Sequence, residues 1–503
     1  MNKIFLLAGM LLVMAFKPAF QDPWSSAFVK IDAKGRLQYI KDREGNTIPD
    51  FSRVGYHQGD LKIPNVPTVK TISPAGNNSQ QLIQNAIDEV AKMPVGKNGI
   101  RGAILLKKGS YPIAGMLKIS AGGIILRGEG SDAEGTKLIA KGKTQRSLLS
   151  ISGTGALTEQ KNSRIKIKEN FVPVGSFTFS IMDARGYQPG DNIVIFRPGT
   201  DSWISDLKMD KIEAREGTLQ WEAKEYDLHF ERKILKIEGN KITIDNPVVM
   251  QMDNKYGGGY IYKSSFSGRI AEIGLENIYF ESEYANEADE DHGWIAVSIN
   301  KAENCWVRNI TSRYFGYSCV SLGYAAKQVT VQDSKCFDAK SIITGGRRYS
   351  FNNDGQQNLF MNLESTEGRH DYVTGAKTLG PNVFYNCRAT GTHADIGPHH
   401  RWAVGTLYDN ISTDGEINVQ DRGNYGTGHG WAGVTQVLWN CNVKRAAVQN
   451  PWVSGNNYSI GTQGEKGTGR FKDRMDGAWE NQNRKGLTPA SLYLAQLNAR
   501  QIK

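Results

Sequence analysis

The chain has 503 residues, 39% hydrophobic and 22% charged, with 55 glycines, 16 prolines and a formal net charge of +10. These values are ordinary for a globular protein and exclude a low-complexity disordered chain. The five cysteines form no Cys-x-x-Cys pair, which argues against a structural zinc site, and the basic residues are too dispersed for a nucleic-acid-binding arm.

Taken in chain order, Asn2-Lys3 and then IFLLAGMLLVMAF (4–16) read as an export signal: a basic start, then an apolar core too short to span a bilayer. No later segment is apolar enough for membrane insertion, so the expected location is secreted or periplasmic. Removing residues 1–21 takes Lys3 and Lys17 and no acid, so the mature chain stays basic, as suits a groove for a polyanion. SQQLIQNAIDEVAKM (79–93) places Leu82, Ile83, Ala86, Ile87 and Val90 on one helical face, a cap for the open end of a stack. GAILLKKGSYPI (102–113), LKISAGGIILRGEG (117–130) and LIAKGK (138–143) read as the first strands. Then the pattern changes. GDNIVIFRPG and KILKIEGNKITID read as antiparallel hairpins with Gly-Asn turns, joined by a loop over 205–230.

Further on the chain repeats itself. QNLFMNLEST (357–366), PNVFYNCRAT (381–390), VGTLYDNIST (404–413) and TQVLWNCNVK (435–444) align on Asn362, Asn386, Asn410 and Asn440, spaced 24, 24 and 30. Upstream, Asp333, Asn309 and Asn277 occupy the same slot. The segments alternate with period two, which excludes helical repeats, and they lack a leucine consensus. The expected fold is all-β: a right-handed parallel β-helix with an N-terminal capping helix and a small inserted β subdomain. Equivalent residues then stack about 4.8 Å apart, and the recurrent asparagine forms a side-chain ladder at a turn. Cys387 and Cys441 share one slot two rungs apart, too far for a disulfide, and read as interior thiols.

The chain thus divides into a signal peptide (1–21), a cap with the first rungs (22–165), the inserted subdomain (166–250), the main rungs with the active-site face (251–460) and a C-terminal extension (461–503). Five of the eight histidines fall in the main rungs: His370, His393, His399, His400 and His429. Counted from the ladder, Arg369 and His370 follow Asn362 at +7 and +8, and His393 and Asp395 follow Asn386 at +7 and +9. Asn418, Gln420 and Arg422 follow Asn410 at +8, +10 and +12. A common phase predicts one polar strip on one wall of the coil.

Two stretches carry a family resemblance. NTIPDFSRVGYHQGDLKIP (46–64) with the helix after it resembles the N-terminal region of pectate-lyase-like β-helix proteins. GPNVFYNCRATGTHADIGPHHRWAVGTLYDN (380–410) with NVQDRGNYGTGHGWAGVTQVLWNC (418–441) looks like an exported bacterial polysaccharide lyase-like branch of that superfamily. The resemblance implies the coil and a polysaccharide partner. It does not extend to the calcium-binding aspartates and paired arginines of pectate lyases, and NNDG (352–355) is a partial echo of polygalacturonases.

A basic groove lined by histidine and arginine suits β-elimination from a uronic-acid-containing polymer such as a glycosaminoglycan or an alginate-like chain. The reaction needs a neutralised carboxylate, a base for C5–H and an acid for O4. Arg369 and Arg401 are candidates for the uronate, with Asn418 or Gln420 assisting. His393 or His399 is the expected base and Tyr372 or His400 the expected acid, with His370 beside them. Arg422, Tyr425, His429 and the stacking rings Trp402 and Trp431 complete the expected substrate contacts. No cofactor is required on this reading, although a divalent cation, calcium included, fits the spacing of His393, Asp395 and His399. A monomer is expected, without nucleic-acid partners. The alternatives are a glycoside hydrolase, for which Glu364, Glu367, Asp371 and Asp395 are the available acids, and a non-catalytic carbohydrate-binding β-helix.

Overall fold

The computed structural model describes residues 22–501; the expected export signal lies outside the described residues. Alternation in each repeat turns one side chain in two toward a shared interior, and parallel pairing puts equivalent residues above one another. The result is a right-handed parallel β-helix of 29 strands in one parallel network. Successive rungs pair in strict register, as Leu359↔Val383, Val383↔Leu407 and Leu407↔Val437. Inside, Phe360 stacks on Phe384 with ring centres 4.7 Å apart, and Phe384 on Tyr408 at 5.5 Å.

The ladder forms the corner between two faces. Asn277, Asn309, Asp333, Asn362, Asn386, Asn410 and Asn440 all have φ between 51° and 57°, a left-handed bend that asparagine and aspartate tolerate best among residues with a Cβ. Asn309 Nδ2 donates to Asn277 Oδ1 at 2.8 Å, Asn362 to Asp333 at 2.9 Å, Asn386 to Asn362 at 2.7 Å and Asn440 to Asn410 at 2.9 Å. All five cysteines are free and buried.

Helix Ser79–Ala91 covers the N-terminal end through Ile83, Ala86, Ile87 and Val90; Leu82, expected on that face, is instead 40% exposed. At the other end the strands outrun the expected boundary at 460, because Gln463–Lys466 and Ala478–Glu480 still pair with the rungs before them. Helix Leu492–Gln501 then folds back along one face, where Gln496 bonds the backbone of Pro49 and Phe51.

The inserted subdomain is wider than 166–250. Its antiparallel strands run from Leu157–Glu159 to Tyr260–Phe266, which pair with each other and so close the excursion. The coil resumes as if uninterrupted: Gly274–Ser282 pairs with Ile124–Gly130 and Thr136–Ala140 from before the insertion. The expected Gly239-Asn240 hairpin joins Glu238 to Lys241. Part of the expected 205–230 loop is a structural wedge, with Trp221 and Met209 buried beside Trp203. Among the described residues no helix is long and apolar enough to cross a membrane.

Candidate active site

Where the insertion leans on the later rungs, a cleft of about 620 Å³ opens on the coil wall, lined by Tyr349, Arg369, His370, Asp395, His399, His400, Arg422, Tyr425 and His429, with Arg215 reaching in from the insertion. Register builds its floor. Phe351 pairs with Tyr372 on adjacent strands, and two residues earlier on each chain Tyr349 and His370 meet edge to face with ring centres 4.9 Å apart. His399 sits on the next rung, its backbone N–H donating to Thr374 O at 2.9 Å. Its ring centre lies 4.3 Å from His370, 5.0 Å from His400, 5.1 Å from His429 and 5.5 Å from Tyr349. Gly426, at φ +54°, lets His429 turn inward; a Cβ there would collide with its imidazole.

Four histidines from three rungs therefore meet in one place, and they are short of partners. His370 Nδ1–H donates to the Asp395 carbonyl at 2.6 Å, which fixes its tautomer and leaves Nε2 an acceptor. His370 Nε2 and the Nδ1 atoms of His399, His400 and His429 are buried without a hydrogen-bond partner. Desolvation, aided by the neighbouring cations, lowers all four: His370 and His400 to about 4, His429 to about 3, and His399 far below the usual imidazole range. At neutral pH the cluster is uncharged. Tyr349, raised by burial, stays a phenol.

The charges around the cluster fall into two classes. Arg422 is committed to the Asp395 carboxylate and donates to Pro398 O at 3.3 Å, while Asp395 is held below the usual carboxylate range, its burial outweighed by that guanidinium. Arg369 is half-buried at the rim, donating to Gly345 O, and Arg215 is exposed. The cleft thus offers two guanidiniums to an anion and keeps its single carboxylate occupied.

Several sequence expectations move. His393 is exposed and bonds Glu367 Oε2 at 2.7 Å, outside the cleft, because it precedes the strand that carries Asp395 and turns with the loop. Tyr372 is fully buried, stacked on Phe351 inside the coil with its hydroxyl on Arg388 O; it shares the parity of the interior residues. Trp402 and Trp431 are fully buried where the insertion packs on the coil, Trp402 lying 5.1 Å from Trp203. They are anchors rather than stacking platforms. Asn418 bonds Glu416 at 3.1 Å and Gln420 accepts from Arg470 N at 2.6 Å, so both are used locally. The strip slips because Asp395 stands in register with Glu416, two residues before Asn418. Arg401 donates to Thr427 beside the cleft without lining it.

His393 bonds Glu367 outside the cleft that Asp395 and His399 line, so the three residues of that spacing do not gather at one point. Among the described residues no group of three or more histidine, cysteine or acidic side chains is placed to hold a metal ion. Sequence reasoning missed Tyr349 and Arg215. Tyr349 had a signal: Arg348-Tyr349-Ser350-Phe351 aligns with Arg369-His370-Asp371-Tyr372, which places Tyr349 under His370. Arg215 belongs to the insertion, where no repeat constrains position.

No protein-family model and no curated protein matches the chain. Among solved structures, an alginate lyase from Paenibacillus sp. str. FPU-7 is 10% identical over 83% of this chain and 100% of its own, with a TM-score of 0.40. The catalytic domain of a GH87 alpha-1,3-glucanase in complex with nigerose is 9% identical over 85% of this chain and 67% of its own, at 0.35. The Gp54 tailspike of Acinetobacter baumannii bacteriophage AP22, in complex with capsular saccharide, is 12% identical over 82% of this chain and 74% of its own, at 0.28. Likenesses at this level bear on no residue of the cleft.

Proposed function

We propose that this protein is an exported polysaccharide lyase that cleaves a uronic-acid-containing chain by β-elimination in the histidine cleft. The observation that carries the reading is the cluster itself: four uncharged imidazoles with open ring nitrogens, a buried phenol against them, and two guanidiniums not paired with a carboxylate.

Arg369, with Arg215 in the same cleft, binds the uronate carboxylate and draws off the charge that builds when the α-carbon loses its proton. His399, standing between the other three rings, takes the C5 proton. The electron pair left on C5 forms the C4–C5 double bond as the C4–O4 bond breaks, and Tyr349 delivers its phenolic proton to the departing O4. Burial is the first cause of the low basicity of His399, with His370 and Arg422 after it; an anion seated beside it counters the Arg422 field. Arg422 and His370 act as positioning residues, Arg422 held by the Asp395 carboxylate and His370 by its backbone carbonyl.

Hydrolysis needs two carboxyl groups flanking the bond. The cleft has one, Asp395, and Arg422 occupies it. Of the other acids weighed, Glu364 reaches toward Lys335 and Glu367 bonds His393. Asp371 is buried under Ser350 and Ser365.

The test is a screen of acidic polysaccharides for the ultraviolet absorbance of the conjugated unsaturated uronate. A rising signal is the expected result. New reducing ends without that absorbance, or cleavage of neutral glycans alone, would overturn the reading.

A further inference from the structure

A second cavity of about 460 Å³ lies at the seam between the insertion and the coil, and its chemistry is the reverse of the first. Tyr262, Phe266 and Tyr324 supply aromatic surface, Tyr324 standing 71% exposed at the mouth, and leucine and alanine side chains fill much of the remaining wall. Of its two cations only Arg269 is paired with a carboxylate. Arg269 grips Glu231 with two bonds of 2.7 Å, and Lys377 donates to Glu225 O at 2.7 Å. Asp354 accepts from Asn352 at 3.2 Å and from the Gly375 backbone; burial lifts its carboxyl to about 6, so it is largely ionised at neutral pH.

The two cavities share no lining residue but lie two rungs apart on the coil. Asn353, Thr374 and Pro398 stack in register on successive rungs, so the residues that follow them, Asp354, Gly375 and His399, climb the same wall. Asp354 is therefore two rungs, roughly 10 Å, from His399. Tyr317 bridges the gap, its ring 5.1 Å from Tyr349 and its hydroxyl within the field of Asp354.

We infer that the second pocket binds an uncharged sugar of the same chain, so that the substrate is a heteropolymer of acidic and neutral units rather than a pure polyuronate. Aromatic surface packs on the apolar face of a sugar ring, and a carboxylate accepts hydrogen bonds from hydroxyl or acetamido groups. The same carboxylate repels a second uronate, and the lining as a whole keeps that sign, with Asp227, Glu231 and Asp354 against Arg269 and Lys377. This inference rests on the β-elimination reading for the cleft but concerns binding, so affinity tests it apart from turnover.

The experiment measures Kd by titration calorimetry for two oligosaccharides of matched length, one alternating uronate with N-acetylhexosamine and one made of uronate alone. The alternating chain binds at least tenfold tighter. Asp354→Asn narrows that ratio at least threefold by strengthening the polyuronate. Tyr324→Ala, an exposed truncation that leaves folding intact, weakens the alternating chain about tenfold, or ~1.4 kcal/mol. Equal or tighter binding of the polyuronate by the unaltered protein, or a ratio indifferent to both variants, overturns the inference. If the affinity pattern holds while no polymer yields unsaturated product, the lyase reading fails and the pocket assignment stands.

Discussion

Two vertical stacks of polar side chains climb the same coil, and they differ in one respect. Along the asparagine corner most neighbours bond directly, each amide donating to the rung before it at 2.7–2.9 Å. In the histidine cleft four rings lie within about one ring diameter, and each keeps a ring nitrogen without a partner. A buried polar atom left unpaired costs free energy. The corner spends its polarity on the fold; the cleft holds its polarity in reserve, and the reserve marks where a ligand belongs.

The largest expected effect comes from the cleft. His399→Ala lowers kcat/KM on the cleaved polymer by roughly 10²–10⁴-fold, the span of a lost general base. Its thermal midpoint stays close to that of the unaltered protein, because the removed ring had no bond at Nδ1 to lose. A melt and an absorbance assay on one preparation check both halves. A large fall in the midpoint would make His399 a structural residue like those of the corner.

Trp402→Ala acts through packing. Its ring is fully buried against Trp203, with Nε1 toward Met250 Sδ at 3.3 Å, and truncating such a side chain costs about 3–5 kcal/mol. The insertion holds Arg215 at the cleft through this contact region, so activity falls with stability, and denaturant unfolding gives the size of the loss. An unchanged midpoint with lost binding would restore Trp402 as a sugar platform.

Acid separates the two stacks next. His370, His400 and His429 are lowered to between about 3 and 4 in the folded chain, against about 6.5 when unfolded. Between those values the unfolded chain binds more protons, so this contribution is fully present above pH ~6.5 and is lost as pH falls toward 4. Asp354 and Asp409, raised to about 6 and 7 by burial, work in the opposite sense, so the informative quantity is a difference. His400→Gln with His429→Gln flattens the decline in thermal midpoint between pH 7 and 4.5, and Asn386→Ala leaves its slope unchanged.

How far the sequence reveals each stack follows from periodicity. The corner was legible because a left-handed bend restricts residue type, so asparagine recurs at a fixed interval and register follows. The convergence of His370, His399, His400 and His429 was legible for the same reason, as a consequence of rung spacing. Direction was not. Tyr372 turns inward on strand parity, which the flanking loop obscures, and His393 turns outward with the loop before Asp395. Trp402 and Trp431 face a subdomain that interrupts the repeat, and no pattern within the coil shows what covers its outer wall. Only Tyr349 could have been recovered, from the alignment of its own rung with the next.

The smallest effect tests the corner itself. Asn386 donates to Asn362 at 2.7 Å and its backbone sits at φ +53°. Asn386→Ala removes one exposed amide bond, worth about 0.5–1.5 kcal/mol, and places alanine in a left-handed bend that costs roughly 1 kcal/mol more. Asn386→Gly removes the same bond while relieving the bend, so it is the milder of the two by about the cost of the strain. Activity is untouched in both, because the cleft hangs from a different face of the coil. If the two variants melt together, the amide contact rather than the backbone bend sets the preference for asparagine. If either slows turnover at a temperature where it is fully folded, the corner and the cleft are coupled and the division of labour between them is wrong.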